Sequence, residues 1–301
     1  MISARSFRVL AFVTALFAYL QIALGGVVRV TGSGLGCPDW PLCHGRPYPP
    51  ADTHSIIAYS HRLVGSITEL LIVLTVVSAW IVFRNQRRAV AWLATASLAA
   101  GLGEAALGGI VVANDLAPWM VLFHLALAML ILGFLLATAV MSLPASPGLE
   151  RMRPLAAVGA VATYLLLLTG STVVASNADQ SCRAWPLCGG GFALDFSGSH
   201  AFTMLHRGSA LAVGILVIYV AIRAMREPGL KLPALATLIV FGVQVAVGAG
   251  AAVTDDALFN GLHVAIATLV WAGMLAIALL TVPRADARPA LAHLAVDKRT
   301  A

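Results

Sequence analysis

The chain has 301 residues, of which 60% are hydrophobic and only 11% are charged, and its formal net charge is +6. Soluble domains usually carry about 25% charged residues, so the composition excludes an ordinary soluble protein and indicates one that is surrounded by lipid. The basic residues form short clusters between apolar runs and no continuous patch, which excludes a nucleic-acid partner from the expected function.

Apolar runs of membrane-spanning length follow one another along the chain. About 20 apolar residues cross a bilayer, and such runs must be helical because lipid offers the backbone no hydrogen-bond partner. The first run follows Arg5 and Arg8 without a small-residue cleavage site, so we predict a retained helix and not a signal peptide. The eight predicted spans are 8–28, 56–83, 89–112, 119–141, 154–175, 202–224, 232–253 and 258–282. The predicted fold class is therefore an all-α membrane protein with eight transmembrane helices.

The basic residues predict the orientation of these helices, because Lys and Arg concentrate in the cytoplasmic loops of membrane proteins. One side of an eight-span topology holds most of them, and the other side holds Arg29, Arg46 and Arg183, plus Arg62 and Arg207 at helix entrances. We expect a multi-pass protein of a bacterial-type cell membrane, with both termini cytoplasmic and loops one, three, five and seven outside. The basic residues on the predicted cytoplasmic side are Arg5, Arg8, Arg84, Arg87, Arg88, Arg151, Arg153, Arg223, Arg226, Lys231, Arg284, Arg288, Lys298 and Arg299.

An internal repeat divides the chain into two halves. The segment from Cys37 to Cys43, with the sequence CPDWPLC, recurs as CRAWPLC from Cys182 to Cys188, 145 positions later. The pair His61-Arg62 recurs at the same offset, and three further motif pairs follow it: Glu104 with Gln244, Asn114-Asp115 with Thr254-Asp255, and His124 with His263. We predict two pseudo-symmetric four-helix bundles, 1–148 and 149–301, related by an axis along the membrane normal.

Four histidines lie at equivalent depths near the predicted outer ends of helices two, four, six and eight: His61, His124, His206 and His263. Ionisable residues inside a span are costly and usually face the interior of a helix bundle. Two imidazoles on facing helices can bind one heme iron from both sides, whereas zinc normally requires three or four protein ligands. We predict the pairs His61 with His124 and His206 with His263. Hydrogen bonding between helices and pairing across the halves are the alternatives.

Arginines and cysteines accompany these histidines. Arg62 and Arg207 each follow the first histidine of a pair, so they are candidates for binding heme propionates, with snorkelling to the membrane surface as the alternative. The four cysteines lie in outward loops, where disulfides persist, and the repeat favours pairing Cys37 with Cys43 and Cys182 with Cys188. We expect structural staples that hold each loop over its heme pocket, or, for the first pair, a redox-active dithiol.

Two carboxylates occur inside predicted spans of the first half. Glu104 lies mid-span where the second half has neutral Gln244, and Glu69 lies on helix two. An intramembrane carboxylate predicts a functional site. Each is a candidate catalytic residue that relays protons or binds substrate, and a protonated structural glutamate is the alternative.

The sequence resembles the heme A synthase family of bacterial cytochrome oxidase assembly. The features that carry this resemblance are the eight spans in two halves, the four histidines, the run from Thr31 to Pro41 and the paired outer cysteines. The resemblance covers about 280 residues. It implies oxidation of the C8 methyl of heme O to a formyl group, a resident heme b bound by His206 and His263, and a substrate heme bound by His61 and His124. A heme O synthase as the source of heme O and a membrane quinol as the electron donor are further expectations.

One residue departs from the family pattern. The family commonly has a glutamate three residues before the first histidine, and this chain has Ala58 there. Glu104 or Glu69 is predicted to replace that carboxylate. Two other functions therefore stay open alongside the enzyme: a di-heme electron carrier of the cytochrome b type, and a non-catalytic heme-binding assembly protein.

Overall fold

A computed structural model describes residues 2–178, 182–189, 192–254 and 256–284. Within these ranges, eight helices are long and apolar enough to cross a membrane, and two isolated β-bridges are the only strand-like pairs. The predicted fold class is confirmed. The predicted tail residues Arg288, Lys298 and Arg299, and Asp255 of the repeat, lie outside the described residues. The helices are α1 Ala4–Val30, α2 Thr53–Phe83, α3 Arg88–Ala113, α4 Pro118–Met141, α5 Arg153–Ala175, α6 His200–Ala224, α7 Lys231–Thr254 and α8 Ala257–Leu280.

Local sequence signals define several helix ends. The Asp52 carboxylate accepts a hydrogen bond from the backbone N–H of Ser55 and caps α2, and Asp256 accepts one from Leu258 and caps α8. Such caps satisfy backbone donors that the first helical turn leaves free. Pro118 starts α4, at a position where its missing N–H costs nothing. The N-terminal ends of α2, α4 and α8 all lie on the side that we predict to be outer.

The helices pack in two groups of four. Helices α1 to α4 contact one another in a ring, α5 to α8 do the same, and the groups meet through α1, α4, α5 and α8. Helices α1 and α8 cross closely, since a Cβ added at Gly26 would lie 3.6 Å from the carbonyl oxygen of Gly261. The buried side chains of Met129 and Trp271 belong to one apolar cluster that spans this interface. The histidine-bearing helices of each group are therefore held in a fixed relation.

Arginines hold the segment that connects the two groups. Side chains of Arg8, Arg87 and Arg284 donate hydrogen bonds to the backbone carbonyls of residues 142–144, at 2.9, 2.6 and 3.2 Å. Burial, and then the nearby charge of Arg87, lower the pKa of Arg284. These bonds satisfy carbonyls at the end of α4, which no following helical turn could satisfy.

Candidate heme sites

Each of the four predicted histidines packs against a glycine on the neighbouring helix. A Cβ added at these glycines would lie 2.8 to 3.3 Å from the Cε1 atom of the facing imidazole. Any larger side chain would therefore displace the ring. The four pairs are Gly25 with His61, Gly108 with His124, Gly170 with His206 and Gly248 with His263.

The second half places its two imidazoles at the separation that a bis-histidine heme needs. The ring centroids of His206 and His263 are 6.4 Å apart and the rings are inclined at 85°. Two imidazoles that bind one iron from opposite sides have centroids roughly 6 Å apart, because each metal–nitrogen bond is about 2 Å long. These residues therefore fit a bis-histidine heme.

Polar partners at Nδ1 orient both of these rings. The Thr169 hydroxyl donates to the carbonyl of Leu166 and lies 2.9 Å from Nδ1 of His206, so it can accept the Nδ1 proton. The side-chain amide of Gln244 lies 3.0 Å from Nδ1 of His263, and its buried Oε1 has no partner. Rotating this amide by 180° lets Oε1 accept the Nδ1 proton. Nε2 of His206 then stays available for a metal, the usual arrangement around ligating histidines, whereas the same Gln244 nitrogen also lies 3.5 Å from Nε2 of His263.

The first half differs from the second at both of its histidines. Oε1 of Glu104 lies 3.1 Å from Nδ1 of His124, although the angle is not that of a formed hydrogen bond. Nε2 of His61 lies 3.2 Å from the Gln21 amide nitrogen, and its buried Nδ1 has no partner. Binding of iron through Nε2 of His61 therefore requires Gln21 to move aside. The glutamine amide lies closer to Nε2 in the first half, at 3.2 Å, than in the second half, at 3.5 Å.

The cysteine loops lie beside these histidines. The Sγ atoms of Cys37 and Cys43 are bonded at 2.01 Å, and those of Cys182 and Cys188 at 2.05 Å. Cys37 and Cys43 are fully buried and pack against Ala58, where the resemblance leads us to expect a glutamate. The ring of Trp40 covers Gly109 on α3, next to the glycine that contacts His124. Loop one therefore lies over the end of the first bundle that we predict to be outer.

Arg62 and Arg207 hold these loops through matched contacts. The Arg62 guanidinium donates to the carbonyls of Cys37, Asp39 and Leu42. Arg207 donates in the same way to the loop of the second half, to the carbonyls of residues 182, 184 and 186 at 3.3, 2.6 and 3.1 Å. Both arginines use their terminal nitrogens for the loops, so the predicted contact with propionates would have to share those donors.

Two outer-loop aspartates organise the turns around them. The Asp39 carboxylate accepts the backbone N–H groups of His44 and Gly45 at 2.6 and 2.7 Å, and these bonds, that of Gly45 first, lower its pKa. Hydrogen bonds from the hydroxyl and backbone N–H of Ser197 and from His200 lower the pKa of Asp195 to about 2. Both carboxylates are therefore charged at neutral pH.

The two predicted carboxylates occupy different places in the first bundle. Glu104 contacts the edge of His124 that Nδ1 occupies, so it can position the ring but does not lie on the ligating side. Glu69 fills the space over Gly101 on α3, and Glu104 follows Gly101 by three residues, so it lies on the same face of that helix. Both have a buried carboxylate oxygen without a partner. The structure thus brings Glu69, Glu104 and His124 together.

The sequence analysis did not predict that glycines pack against the four imidazoles. It also did not predict that Gln21 contacts His61 or that Thr169 contacts His206. A signal was present, because a Gln or Glu precedes the contacting glycine by four residues in three of the four cases: Gln21, Glu104 and Gln244. Residues four apart lie on one helix face. A polar residue and a glycine at that spacing can therefore orient and accommodate the same ring.

The fold and the sites together define a class, that of polytopic membrane proteins with duplicated histidine pairs suited to heme. The sequence model of the cytochrome oxidase assembly proteins, COX15-CtaA, matches residues 8–275, and the chain belongs to this family. It is 26% identical to the heme A synthase of Geobacillus thermodenitrificans, over 93% of this chain and 92% of that protein. It is 26% identical to that of Geobacillus kaustophilus, over 95% and 94%. It is 28% identical to that of Symbiobacterium thermophilum, over 93% and 96%.

Proposed function

We propose that the protein is a heme A synthase, an oxidoreductase that converts the C8 methyl of heme O to a formyl group for cytochrome oxidase assembly. Membership of the assembly family and the names of the relatives support this activity. The observation that carries it is a difference between the two histidine pairs: a carboxylate lies beside His124, and a neutral amide lies beside His263. An enzyme of this kind needs one permanent heme and one site that a substrate heme enters and leaves.

The second half, 149–301, is the resident site in this proposal. His206 and His263 are already spaced for a bis-histidine heme b, which is six-coordinate and suits electron transfer. Thr169 and Gln244 fix the ring orientations through Nδ1. The first half, 1–148, is the substrate site. His61 and His124 bind heme O there once the Gln21 side chain has moved away from Nε2 of His61.

Residues of the first half supply positioning and exclusion of water. Glu104 sets the orientation of His124, as carboxylates commonly do beside ligating histidines. Trp40 and the buried disulfide loop cover the outer end of the bundle. Fixing the porphyrin in one orientation next to its oxidant supplies rate through proximity. Glu69 and Glu104 are the proposed replacements for the carboxylate that Ala58 lacks.

The setting of the reaction follows from the basic residues and the cysteines. The proposal places a multi-pass protein in a bacterial-type cell membrane, with both termini cytoplasmic and the cysteine loops outside. Arg62 and Arg207, which hold these loops, are the candidates for propionate binding. A heme O synthase is the proposed source of heme O, and a quinol or another membrane reductant is the proposed electron donor.

A second candidate function is that of a heme-binding assembly protein without catalysis. Ala58 favours it, because this residue packs on the Cys37–Cys43 disulfide and has no carboxylate. Co-expression of the protein with a source of heme O, followed by extraction and chromatography of the hemes, separates the two. We expect heme A, and we expect its loss in His61→Ala and His124→Ala. Bound heme O without any heme A would support the assembly protein. Two equivalent, stoichiometric hemes b would instead support a di-heme electron carrier.

A further inference from the structure

The two halves make the same contact between their second and third helices with the large and small residues exchanged. In the first half, Glu69 on α2 lies over Gly101 on α3, where an added Cβ would be 2.0 Å from Oε1. In the second half, Gly214 on α6 lies under Phe241 on α7, where an added Cβ would be 2.9 Å from Cζ. Glu69 and Gly214 are 145 positions apart, and Gly101 and Phe241 are 140 apart, which are the offsets of the repeat. A carboxylate in one half thus corresponds to a phenyl ring in the other.

The carboxylate in the first half has unused hydrogen-bonding capacity. Oε2 of Glu69 and Oε2 of Glu104 are both buried without a partner. Buried polar groups are normally paired because leaving them unpaired is costly. Two such atoms from neighbouring carboxylates indicate that something else supplies a donor there. In the second half Phe241 replaces Gly101 and offers no polar atom, and the side-chain nitrogen of Gln244 contacts His263.

The depth of this group suits the inner edge of a porphyrin. Glu69 follows His61 by eight residues, so its backbone lies about 12 Å deeper in the membrane. Helical side chains point towards the helix N-terminus, which for α2 is the histidine end. The carboxylate therefore points back from mid-membrane towards the level of the heme.

Heme O and heme b differ at one substituent. Heme O carries a hydroxyethylfarnesyl group at ring position 2, where heme b carries a vinyl group. Propionates held towards the outer loops would direct position 2 towards the membrane interior, because it lies across the macrocycle from them. The hydroxyl of heme O is then a donor, and heme b has no donor at that place.

We propose that Glu69, together with Glu104, accepts a hydrogen bond from the farnesyl hydroxyl and thereby selects heme O over heme b in the first half. This inference rests on the proposed function, since it assumes that the first half takes heme O. The phenyl ring of Phe241 fills the equivalent place in the second half, where no hydroxyl needs a partner. The same asymmetry therefore explains how two similar bundles bind different hemes.

The test measures the dissociation constants of heme O and heme b at the first-half site. Full-length protein with heme b in the second half is titrated by absorbance with each heme, and the bound hemes are extracted and quantified. We expect Glu69→Leu to lower the preference for heme O by about 2- to 12-fold, the usual net effect of losing one hydrogen bond. Affinity for heme b should stay unchanged, and Glu69→Gln, which keeps an acceptor, should retain most of the preference.

Gly101→Ala tests the same idea without removing the carboxylate. Its Cβ would displace Glu69, so the preference for heme O should fall. Gly103→Ala is the matched control two residues away, because its Cβ would meet only Leu127, at 3.9 Å. An unchanged preference in Glu69→Leu, or equal weakening of both hemes, would overturn the inference while leaving the enzyme intact. Failure of the unaltered protein to bind heme O at all would instead overturn the proposed function.

Discussion

Replacing Gly248 by alanine should weaken the binding of the heme that we propose for the second half. Gly248 and Gly242 lie on the same helix, six residues apart, and both are glycines inside a span. A Cβ at Gly248 would lie 2.8 Å from Cε1 and 3.1 Å from Nδ1 of His263, whereas a Cβ at Gly242 would meet nothing within 4 Å. Only the first substitution forces the imidazole to move.

The magnitude follows from the cost of overpacking. Forcing a methyl group into a packed site costs about 1–3 kcal/mol. If His263 shifts to relieve the contact, it no longer aligns with His206, and the same free energy is lost from heme binding. The heme affinity should therefore fall by roughly 5- to 150-fold. Both substitutions share the gain of up to about 1 kcal/mol that alanine has over glycine in a helix. Any difference in heme affinity between Gly248→Ala and Gly242→Ala therefore cannot come from helix propensity.

The assay is transfer of heme b from the purified protein to an excess of apomyoglobin, followed by absorbance. We expect faster loss and a higher dissociation constant for Gly248→Ala, with Gly242→Ala matching the unaltered protein. Thermal unfolding of the heme-free proteins shows whether the fold is equally stable. Equal heme retention in the two alanine variants would refute the idea that the glycine positions the ring.

Three further perturbations address the first half. Glu104→Ala should weaken heme binding there by about 10- to 100-fold, as loss of a partner of a ligating histidine usually does. Glu104→Gln should not weaken it, because Gln244 has the same role in the second half. Heme titration of both variants is the measurement. Arg62→Gln should make the loop of Cys37 and Cys43 more sensitive to limited proteolysis, and unchanged cleavage would contradict its role as an anchor. Because the pKa of Asp39 is lowered in the folded loop, its stabilising effect is complete above the ordinary aspartate pKa of about 3.9 and is lost as the pH falls below it. The rate at which a phosphine reduces the Cys37–Cys43 disulfide, divided by the rate for Asp39→Asn at the same pH, should therefore be below one at neutral pH and should approach one below the aspartate pKa.

Hydropathy and repetition were sufficient to predict the eight spans. Each span is apolar and long, and lipid permits only helices, so composition alone determines the element type. Duplication made the four histidines stand out as one set. The cysteine pairing also followed from the repeat, and the structure pairs the sulfur atoms in the same way.

The sequence could not predict which side chains contact each other inside each bundle. Helices that are apolar on all sides carry little information about rotation, so the sequence could not indicate that Gly25 faces His61 or that Thr169 faces His206. The position of Arg62 shows the same limit. Its place next to His61 predicted a propionate contact, and its guanidinium reaches the carbonyls of the cysteine loop. Contacts of that kind depend on loop conformation, which periodicity does not define.

The most direct test of the central claim is the absorbance spectrum of purified histidine variants. If His206 and His263 hold the resident heme b from both sides, His206→Ala and His263→Ala each lose the b-type bands, and His61→Ala retains one heme per chain. A spectrum that is unchanged in both second-half variants would contradict the account.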